Sequence, residues 1–373
     1  MDTLLEYSDL KGPADFATDE LDQAGLDKIS SLLAKYNNRL RNSNVGNAIM
    51  NLKSITAILA TMSLATLTSA LPKLDARAMK NLGIAARQNA AASAAGITDV
   101  DILQFALTLE NLEGAFYAQG FNQFPDSSFM AIGMSPTDLT NLKSVATTEN
   151  THVTFLTTAI AGAGFKPVQP CTYNFGFTTA QAMVATAGTL ENIGVSAYLG
   201  AAPLVSMPTI LTAAAEILTV EARHQSLLRT LNKAAAIPSA FDTPLGVRSV
   251  FSLAAPLITS CPSGSMLNVT PFPALQMMAP SAMPMAGSNT TQTLMTAGTR
   301  LALAANATGA TNCAFTNGGL PGGSVFTPYT GGACTVPQGV SGITYLHLTS
   351  SAPAGNVLSD DIVVAGVQVI NVS

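Results

Sequence analysis

Two copies of one pattern of glutamates and histidines lie in the middle of this sequence. Thr108-Leu109-Glu110-Asn111-Leu112 recurs as Thr189-Leu190-Glu191-Asn192-Ile193. A Glu-x-x-His motif follows each copy, as Glu149-Asn150-Thr151-His152 and as Glu221-Ala222-Arg223-His224. The chain has only three histidines, and two of them complete this pattern. The order Glu, Glu-x-x-His, Glu, Glu-x-x-His therefore predicts two structurally related halves.

Apolar residues recur at helical spacing around each copy. Thr98 and the pair Ser135-Pro136 are typical helix starts, and Gly120 and Gly200 are typical helix ends. The pattern predicts four helices, over about 98–121, 136–162, 178–200 and 208–235. Four helices of this length are suited to a four-helix bundle, so we predict a mainly α fold.

The spacing of the repeat predicts a dinuclear metal centre inside this bundle. Residues at i and i+3 share one helix face, so each Glu-x-x-His motif can approach a single point. Facing helices lie about 8–10 Å apart, which lets carboxylates from both sides share two ions. Carboxylate and imidazole ligands suit iron, manganese or zinc, and two divalent cations offset the cost of burying four carboxylates. We expect iron or manganese, bound by Glu110, Glu149, His152, Glu191, Glu221 and His224.

A lone Glu-x-x-His motif is common and usually forms a solvated pair on a helix surface. The matched positions in both halves favour a real or ancestral site over this coincidence. Glu113 lies one turn from Glu110, but its repeat counterpart is Gly194, so we expect at most an auxiliary role. Tyr117 and Tyr198 follow the two glutamates by seven residues. They suit either hydrogen bonds to the ligands or packing in the core.

The helical region also resembles a known family. The stretches LENLEGAFY at 109–117 and ENIGVSAYLGAA at 191–202 carry the likeness. The segment of about 96–260 resembles the ferritin-like family of secreted fungal proteins, which includes stress-response and late-sexual-development proteins, and it is similar to plant desiccation-related proteins. The resemblance implies a ferritin-like bundle and a stress- or development-linked role. It covers less than half of the chain and leaves residues 291–373 unexplained.

The N-terminal part contains a pattern typical of a secretory signal peptide. Met50-Asn51-Leu52-Lys53 precedes an apolar stretch from Ile55 to Leu67, and the small residues Thr68-Ser69-Ala70 follow. We expect residues 50–70 to be a signal peptide that leaves no stable membrane span once removed. We further expect Met50 to be the true start and residues 1–49 to be a non-native or disordered extension. The alternative is a buried apolar helix behind a genuine acidic N-terminal segment.

The cysteines agree with an oxidising compartment. The chain has four of them, Cys171, Cys261, Cys313 and Cys334, an even number that is consistent with two disulfides. Four cysteines permit three pairings. We expect Cys313 and Cys334 to close a loop, and Cys171 and Cys261 to connect the link between helices 2 and 3 to the segment after the bundle.

The region after the bundle has a different composition. We expect linkers at 71–95 and 261–290, a short helix near 245–256, and a β-rich region over 291–373. Alternating apolar residues predict strands at 343–348 and 362–364. Sequons for N-glycosylation begin at Asn268, Asn289, Asn306 and Asn371. We therefore expect a secreted glycoprotein that is extracellular or associated with the cell wall. His347 lies in a predicted strand, where we expect a structural role.

Three functions are compatible with this sequence. The first is an oxidoreductase whose iron or manganese centre reacts with oxygen or peroxide, and the second is a stress-protective metal-binding protein without turnover. The third is a structural glycoprotein of the cell wall or spore with a relic site. The net charge of −5 and the lack of a Lys/Arg cluster argue against a nucleic-acid partner. The intact ligand set favours the first two functions.

Overall fold

The computed structural model describes residues 96–279, 294–305 and 308–372. The expected signal peptide, the extension before it and the linker at 71–95 lie outside these ranges. Four long helices occupy the predicted segments: α1 at Asp99–Gln123, α3 at Pro136–Gly162, α4 at Ala180–Ala201 and α5 at Pro208–Leu231. Two short helices accompany them, α2 at Asp126–Ala131 and α6 at Val247–Ala254. The first of these was not predicted, and the second falls in the segment where a short helix was expected.

Local capping explains where the first two long helices begin. At the start of α1, Thr98 Oγ1 accepts a hydrogen bond from the backbone N–H of Asp101, and the Asp101 carboxylate accepts one from Thr98 N–H. Ser135 and Asp138 repeat this arrangement at the start of α3. Reciprocal bonds of this kind satisfy two donors that a helix N-terminus leaves free, so they fix the starts of both helices.

The direction of each long helix follows from which of its halves lies at one particular end of the bundle. The first halves of α1 and α5 and the second halves of α3 and α4 line a common cavity there. Helices α1 and α3 are therefore antiparallel, as are α4 and α5, whereas α3 and α4 run the same way. The connection at 163–179 consequently traverses the bundle, and the disulfide Cys171–Cys261 attaches it to the segment after α6. This pairing and the second disulfide, Cys313–Cys334, are as predicted.

A two-stranded sheet beside the bundle pairs β1 at Thr172–Tyr173 with β2 at Ile258–Ser260. The strands that follow are β3 Leu275–Ala279, β4 Leu294–Met295, β5 Arg300–Ala305, β6 Asn312–Thr316, β7 Ser324–Pro328, β8 Ala333–Thr335, β9 Gly342–Thr349 and β10 Val363–Val372. They form two sheets. The larger has the strand order β4-β10-β9-β6-β7, and its pairs are antiparallel except for β4 with β10. The smaller has the order β3-β5-β8.

The larger sheet packs directly on the bundle. Ile343 and Tyr345 of β9 and Val367 of β10 belong to the same buried apolar cluster as the helices. Tyr345 is fully buried, and its hydroxyl lies 2.7 Å from both Asn192 Nδ2 and Ser196 Oγ on α4. The described residues all fall within one compact unit, Leu74–Ser373. Helices and sheet therefore share a core.

Surface features bear on the expected localisation. Asn268 is exposed and accessible to a glycan, whereas Asn371 is buried in β10 and cannot carry one in the folded protein. The sequons at Asn289 and Asn306 begin outside the described residues. Within the described ranges, none of the helices combines the length and the apolar character needed to cross a membrane.

Candidate metal centre

The structure brings all six predicted ligand residues together in the middle of the bundle. Helix α1 contributes one glutamate and α4 another, while α3 and α5 each contribute a Glu-x-x-His motif. Their donor atoms form two groups, and within each group all donor atoms lie within 4.8 Å of one another. One group is Glu110, Glu149, His152 and Glu221, and the other is Glu149, Glu191, Glu221 and His224. Glu149 and Glu221 thus belong to both groups.

Each histidine turns Nδ1 toward three carboxylates. His152 Nδ1 lies 3.2 Å from Glu110 Oε2, 3.4 Å from Glu149 Oε2 and 3.3 Å from Glu221 Oε1. His224 Nδ1 lies 2.8 Å from Glu149 Oε1, 3.1 Å from Glu191 Oε2 and 3.9 Å from Glu221 Oε1. The two halves of the repeat therefore place equivalent donors around a shared pair of glutamates.

Glu149 and Glu221, which belong to both donor groups, indicate whether these residues fit metal ions. His152 donates a hydrogen bond to Glu110, and His224 donates one to Glu191. Each of these two glutamates belongs to a single donor group. The four carboxylate oxygens of Glu149 and Glu221 are fully buried, and none of them accepts a hydrogen bond of regular geometry from the described residues, although an imidazole Nδ1 lies 2.8–3.4 Å from three of the four. Buried anionic oxygens left in this way cost several kcal/mol unless a cation compensates them. Oxygen and imidazole donors suit iron, manganese or zinc, so the residues fit the predicted ions.

Comparison with known proteins agrees with this geometry. Residues 98–234 match the model of a family described as "Ferritin-like domain". This segment is a ferritin-like domain. A related protein, Protein rds1 of Schizosaccharomyces pombe, is 27% identical over 183 residues, which cover 49% of this chain and 45% of that protein. The match thus spans less than half of the relative's length. A fungal relative agrees with the predicted resemblance, while the likeness to secreted and plant proteins stays a prediction.

Burial and mutual repulsion perturb the ionisation of the ferritin-like site. Burial and the charge of Glu191 raise the pKa of Glu149 to about 7. Burial also raises the pKa of Glu221 well above its ordinary value, and Glu191 and Glu149 raise it further. Burial lowers the pKa of His152, but contacts with three glutamates outweigh this effect and raise it to about 12. Without cations, protons therefore provide the positive charge that the carboxylates require.

Two tyrosines connect the halves of the ferritin-like domain. The Tyr117 hydroxyl donates a hydrogen bond of 2.6 Å to Glu191 Oε1, and the Tyr198 hydroxyl donates one of 2.6 Å to Glu110 Oε1. Each tyrosine thus binds the glutamate of the other copy. The sequence left hydrogen bonding and core packing both open for these residues, and Tyr117 does both, since it is buried in the main apolar cluster. Partners of this kind fix the orientation of ligand carboxylates.

Glu113 and Gly194, which are repeat counterparts, meet beside the site. Glu113 is buried, and burial and the charge of Glu221 raise its pKa well above its ordinary value. A Cβ atom at position 194 would lie 2.6 Å from Glu221 Oε2 and 3.2 Å from Glu113 Oε1. The glycine therefore provides the space in which both carboxylates sit. Glu113 belongs to neither donor group, and its auxiliary role stays a prediction.

One contact of the site was missed by sequence reasoning. Thr148 Oγ1 lies 2.8 Å from His224 Nε2, where it accepts the ring N–H when Nδ1 faces a cation. The repeat offers no signal for this contact, because the counterpart of Thr148 is Val220. His347 lies apart in β9, where its Nε2 contacts Ser249 Oγ at 3.0 Å, in line with the structural role expected for it.

Proposed function

We propose that this protein binds two divalent ions, iron or manganese, in its ferritin-like domain, and that it is a secreted metal-binding protein. The observation that carries the proposal is the pair of fully buried carboxylates, Glu149 and Glu221, whose oxygens face the imidazoles of His152 and His224 but accept no hydrogen bond of regular geometry from the described residues. Both glutamates belong to each of the two donor groups. Two cations would neutralise these carboxylates and coordinate their oxygens in place of the protons that the metal-free site holds.

The assignment of ligands follows the two donor groups. Glu110 and His152 would hold one ion, Glu191 and His224 the other, and Glu149 and Glu221 both. Tyr117 and Tyr198 hold the glutamates of α4 and α1 in orientation. When bound, iron or manganese supplies redox chemistry and Lewis acidity. The protein provides a buried, negatively charged enclosure that selects divalent cations.

The experiment is metal analysis by elemental mass spectrometry on the purified protein, before and after reconstitution with Fe²⁺ or Mn²⁺. We expect about two ions per chain in the wild type, as in other bundles with this motif. The variant Glu149→Ala/Glu221→Ala should lose both ions. The exposed Glu216 lies on the same helix as Glu221, so Glu216→Ala is a matched control that keeps both. A reconstituted wild type without bound metal would refute the proposal.

Secretion rests on separate observations. Two disulfides, one of them fully buried, are typical of proteins that fold in an oxidising compartment. The expected signal peptide at 50–70 gives the route, and the fungal resemblance suggests a stress- or development-linked role at the cell wall. N-terminal sequencing of protein recovered from culture medium tests this. A mature protein beginning close after Ala70 supports it, and one beginning at Met1 contradicts it.

A second candidate function, an oxidoreductase that consumes oxygen or peroxide, is favoured by one further observation. Tyr198, whose hydroxyl binds Glu110, also lines a cavity inside the bundle. A small reactant could therefore approach the site from this side. Peroxide consumption by the metal-loaded protein, compared with the Glu149→Ala/Glu221→Ala variant, separates turnover from binding alone. The third function, a structural glycoprotein with a relic site, is disfavoured because all six donors remain in place.

A further inference from the structure

A cavity of about 240 Å³ lies at one end of the bundle, beside the candidate metal centre. All four long helices contribute to its walls. Three of the lining residues, Ala106, Leu156 and Ile217, lie one helical turn from Glu110, His152 and Glu221 respectively. Tyr198 also lines the cavity, and its hydroxyl binds Glu110. The cavity is therefore separated from the site by one layer of side chains.

The internal repeat explains why this end of the bundle is not filled. With the two copies aligned on their glutamates, large residues at the opposite end correspond to small ones here. The pairs are Phe116 with Ala197, Phe121 with Ala202, Phe124 with Val205 and Leu142 with Ala214. All four small residues line the cavity. The cavity thus lies where these four positions differ in side-chain size between the two copies.

The chemistry of the walls identifies what the cavity can hold. Among the described residues that line it, none is charged, and only Tyr198 and Thr209 carry a polar group. The Tyr198 hydroxyl is already engaged by Glu110, and Thr209 is exposed. Phe155, which is 46% exposed, also lines the cavity and places a second side chain at its opening. A charged molecule would lose its hydration without compensation, whereas an apolar one would gain free energy by entering.

The size of the cavity limits the ligand further. An engineered apolar cavity of about 150 Å³ remains dry and binds benzene, so a cavity of this volume suits roughly ten carbon atoms. We propose that the open end of the bundle binds an uncharged, hydrocarbon-like molecule of this size, with its inner end against Tyr198. That the bound molecule lies beside metal ions rests on the proposed function, whereas its binding to the cavity does not.

The test uses naphthalene as the probe, with binding measured by isothermal titration calorimetry on the full chain treated with a chelator. We expect saturable binding of one molecule per chain. Ala213 lines the cavity, and Ala213→Phe should weaken binding roughly tenfold or more, because the added ring occupies the site. Ala215 is exposed on the same helix and does not line the cavity. The matched variant Ala215→Phe should therefore bind as the wild type does.

Two further measurements make each outcome decisive. If circular dichroism shows that Ala213→Phe does not fold, Ala202→Phe replaces it, since the repeat counterpart Phe121 already carries that ring. Unsaturable binding by the wild type, or equal binding by the wild type and a folded cavity variant, overturns the proposal. Metal analysis on the same preparations after reconstitution with Fe²⁺ or Mn²⁺ separates the two hypotheses: naphthalene binding without metal uptake retires only the metal centre, and metal uptake without naphthalene binding retires only the cavity site.

Discussion

The two ends of the bundle are related by the internal repeat but are packed in opposite ways. At one end, Phe116 makes edge-to-face contacts with Tyr117, Phe175 and Phe177, with ring centroids 5.1–5.4 Å apart. At the other end, the counterpart of Phe116 is Ala197, and a cavity takes the place of the rings. Between the two ends lie six ligand candidates that match closely in both copies.

This difference separates two requirements of the fold: the placement of the ligands at the centre and the packing of side chains at the two ends. The ligand layer is alike in both halves because a pair of shared carboxylates requires equivalent donors on either side. The ends can differ, because the residues that distinguish them, such as Phe116 and Ala197, are not among the six donors. The filled end supplies stability, and the open end is available for a ligand. The following predictions test this division.

The largest effect is expected from removing a ring at the filled end. Phe116 is fully buried, so Phe116→Ala should reduce the free energy of unfolding by about 3–5 kcal/mol. Phe155 lines the open end and is 46% exposed, so Phe155→Ala should cost roughly 1 kcal/mol or less. Urea unfolding of metal-free protein measures both. Equal losses would show that the two ends are packed alike.

A smaller effect is expected from the two tyrosine hydroxyls. Tyr117→Phe removes the hydroxyl that reaches the buried carboxylate of Glu191 from the filled end, and hydrogen bonds to charged groups contribute about 1.5–3 kcal/mol. Tyr198→Phe removes the matching bond, but Tyr198 is only partly buried, so solvent water can replace its hydroxyl and the cost should be lower. Urea unfolding gives the stabilities, and metal titration against a chelator should show weaker binding in both variants. A larger loss for Tyr198→Phe would contradict the comparison.

Two glycines test the ligand layer itself. Gly194→Ala places a Cβ atom 2.6 Å from Glu221 Oε2, so it should displace that carboxylate, destabilise the fold by roughly 1–3 kcal/mol and lower the metal content. Gly114→Ala is the control, because the nearest atom to its Cβ, Asn150 Oδ1, is at an ordinary 3.5 Å. Alanine should be tolerated there and stabilise α1 by about 0.5–1 kcal/mol. The same metal content in both variants would argue against Glu221 as a ligand.

The last experiment changes no residue. It is an NMR titration of the three histidines in the metal-free wild-type protein. Contacts with glutamates outweigh the effect of burial and raise the pKa of His152 to about 12 and that of His224 to about 9. Both rings should be protonated at pH 7. Burial lowers the pKa of His347 to about 3, so its ring should remain neutral. A neutral His152 at pH 7 would show that the centre carries less negative charge than the structure implies.

The sign of the resulting pH dependence can be stated for His347. The unfolded chain binds a proton near pH 6.5, while the folded ring resists it down to about pH 3. The contribution of His347 is therefore fully present above pH 6.5 and is lost as the pH falls through this window.

Much of this architecture could be predicted from the sequence, because the signals were local or repeated. Capping at Thr98 and Ser135 marked helix starts, and the repeat identified six residues that the structure brings together. The disulfide pairs were also predicted. The contact of Thr148 with His224 could not be predicted, because it joins two helices through a threonine without a counterpart.

The packing of the larger sheet on the bundle could not be predicted from the sequence for a related reason. Tyr345 meets Asn192 and Ser196 across about 150 residues of sequence, and neither helix nor strand periodicity records such a contact. The cavity could not be predicted because it arises from the small size of several side chains, which no helical pattern records. Alanine is common in helical segments, so Ala197 and Ala202 attract no notice by themselves. Their significance follows from comparison with Phe116 and Phe121, their counterparts at the filled end.

The central claim is that Glu149 and Glu221 share two metal ions. Anomalous diffraction from crystals of the protein reconstituted with iron or manganese tests it most directly. We predict two anomalous peaks, about 3.5–4 Å apart, both in contact with Glu149 and Glu221. One peak should also contact Glu110 and His152, and the other Glu191 and His224. A single peak, or peaks only at surface carboxylates, would contradict a dinuclear centre in this bundle.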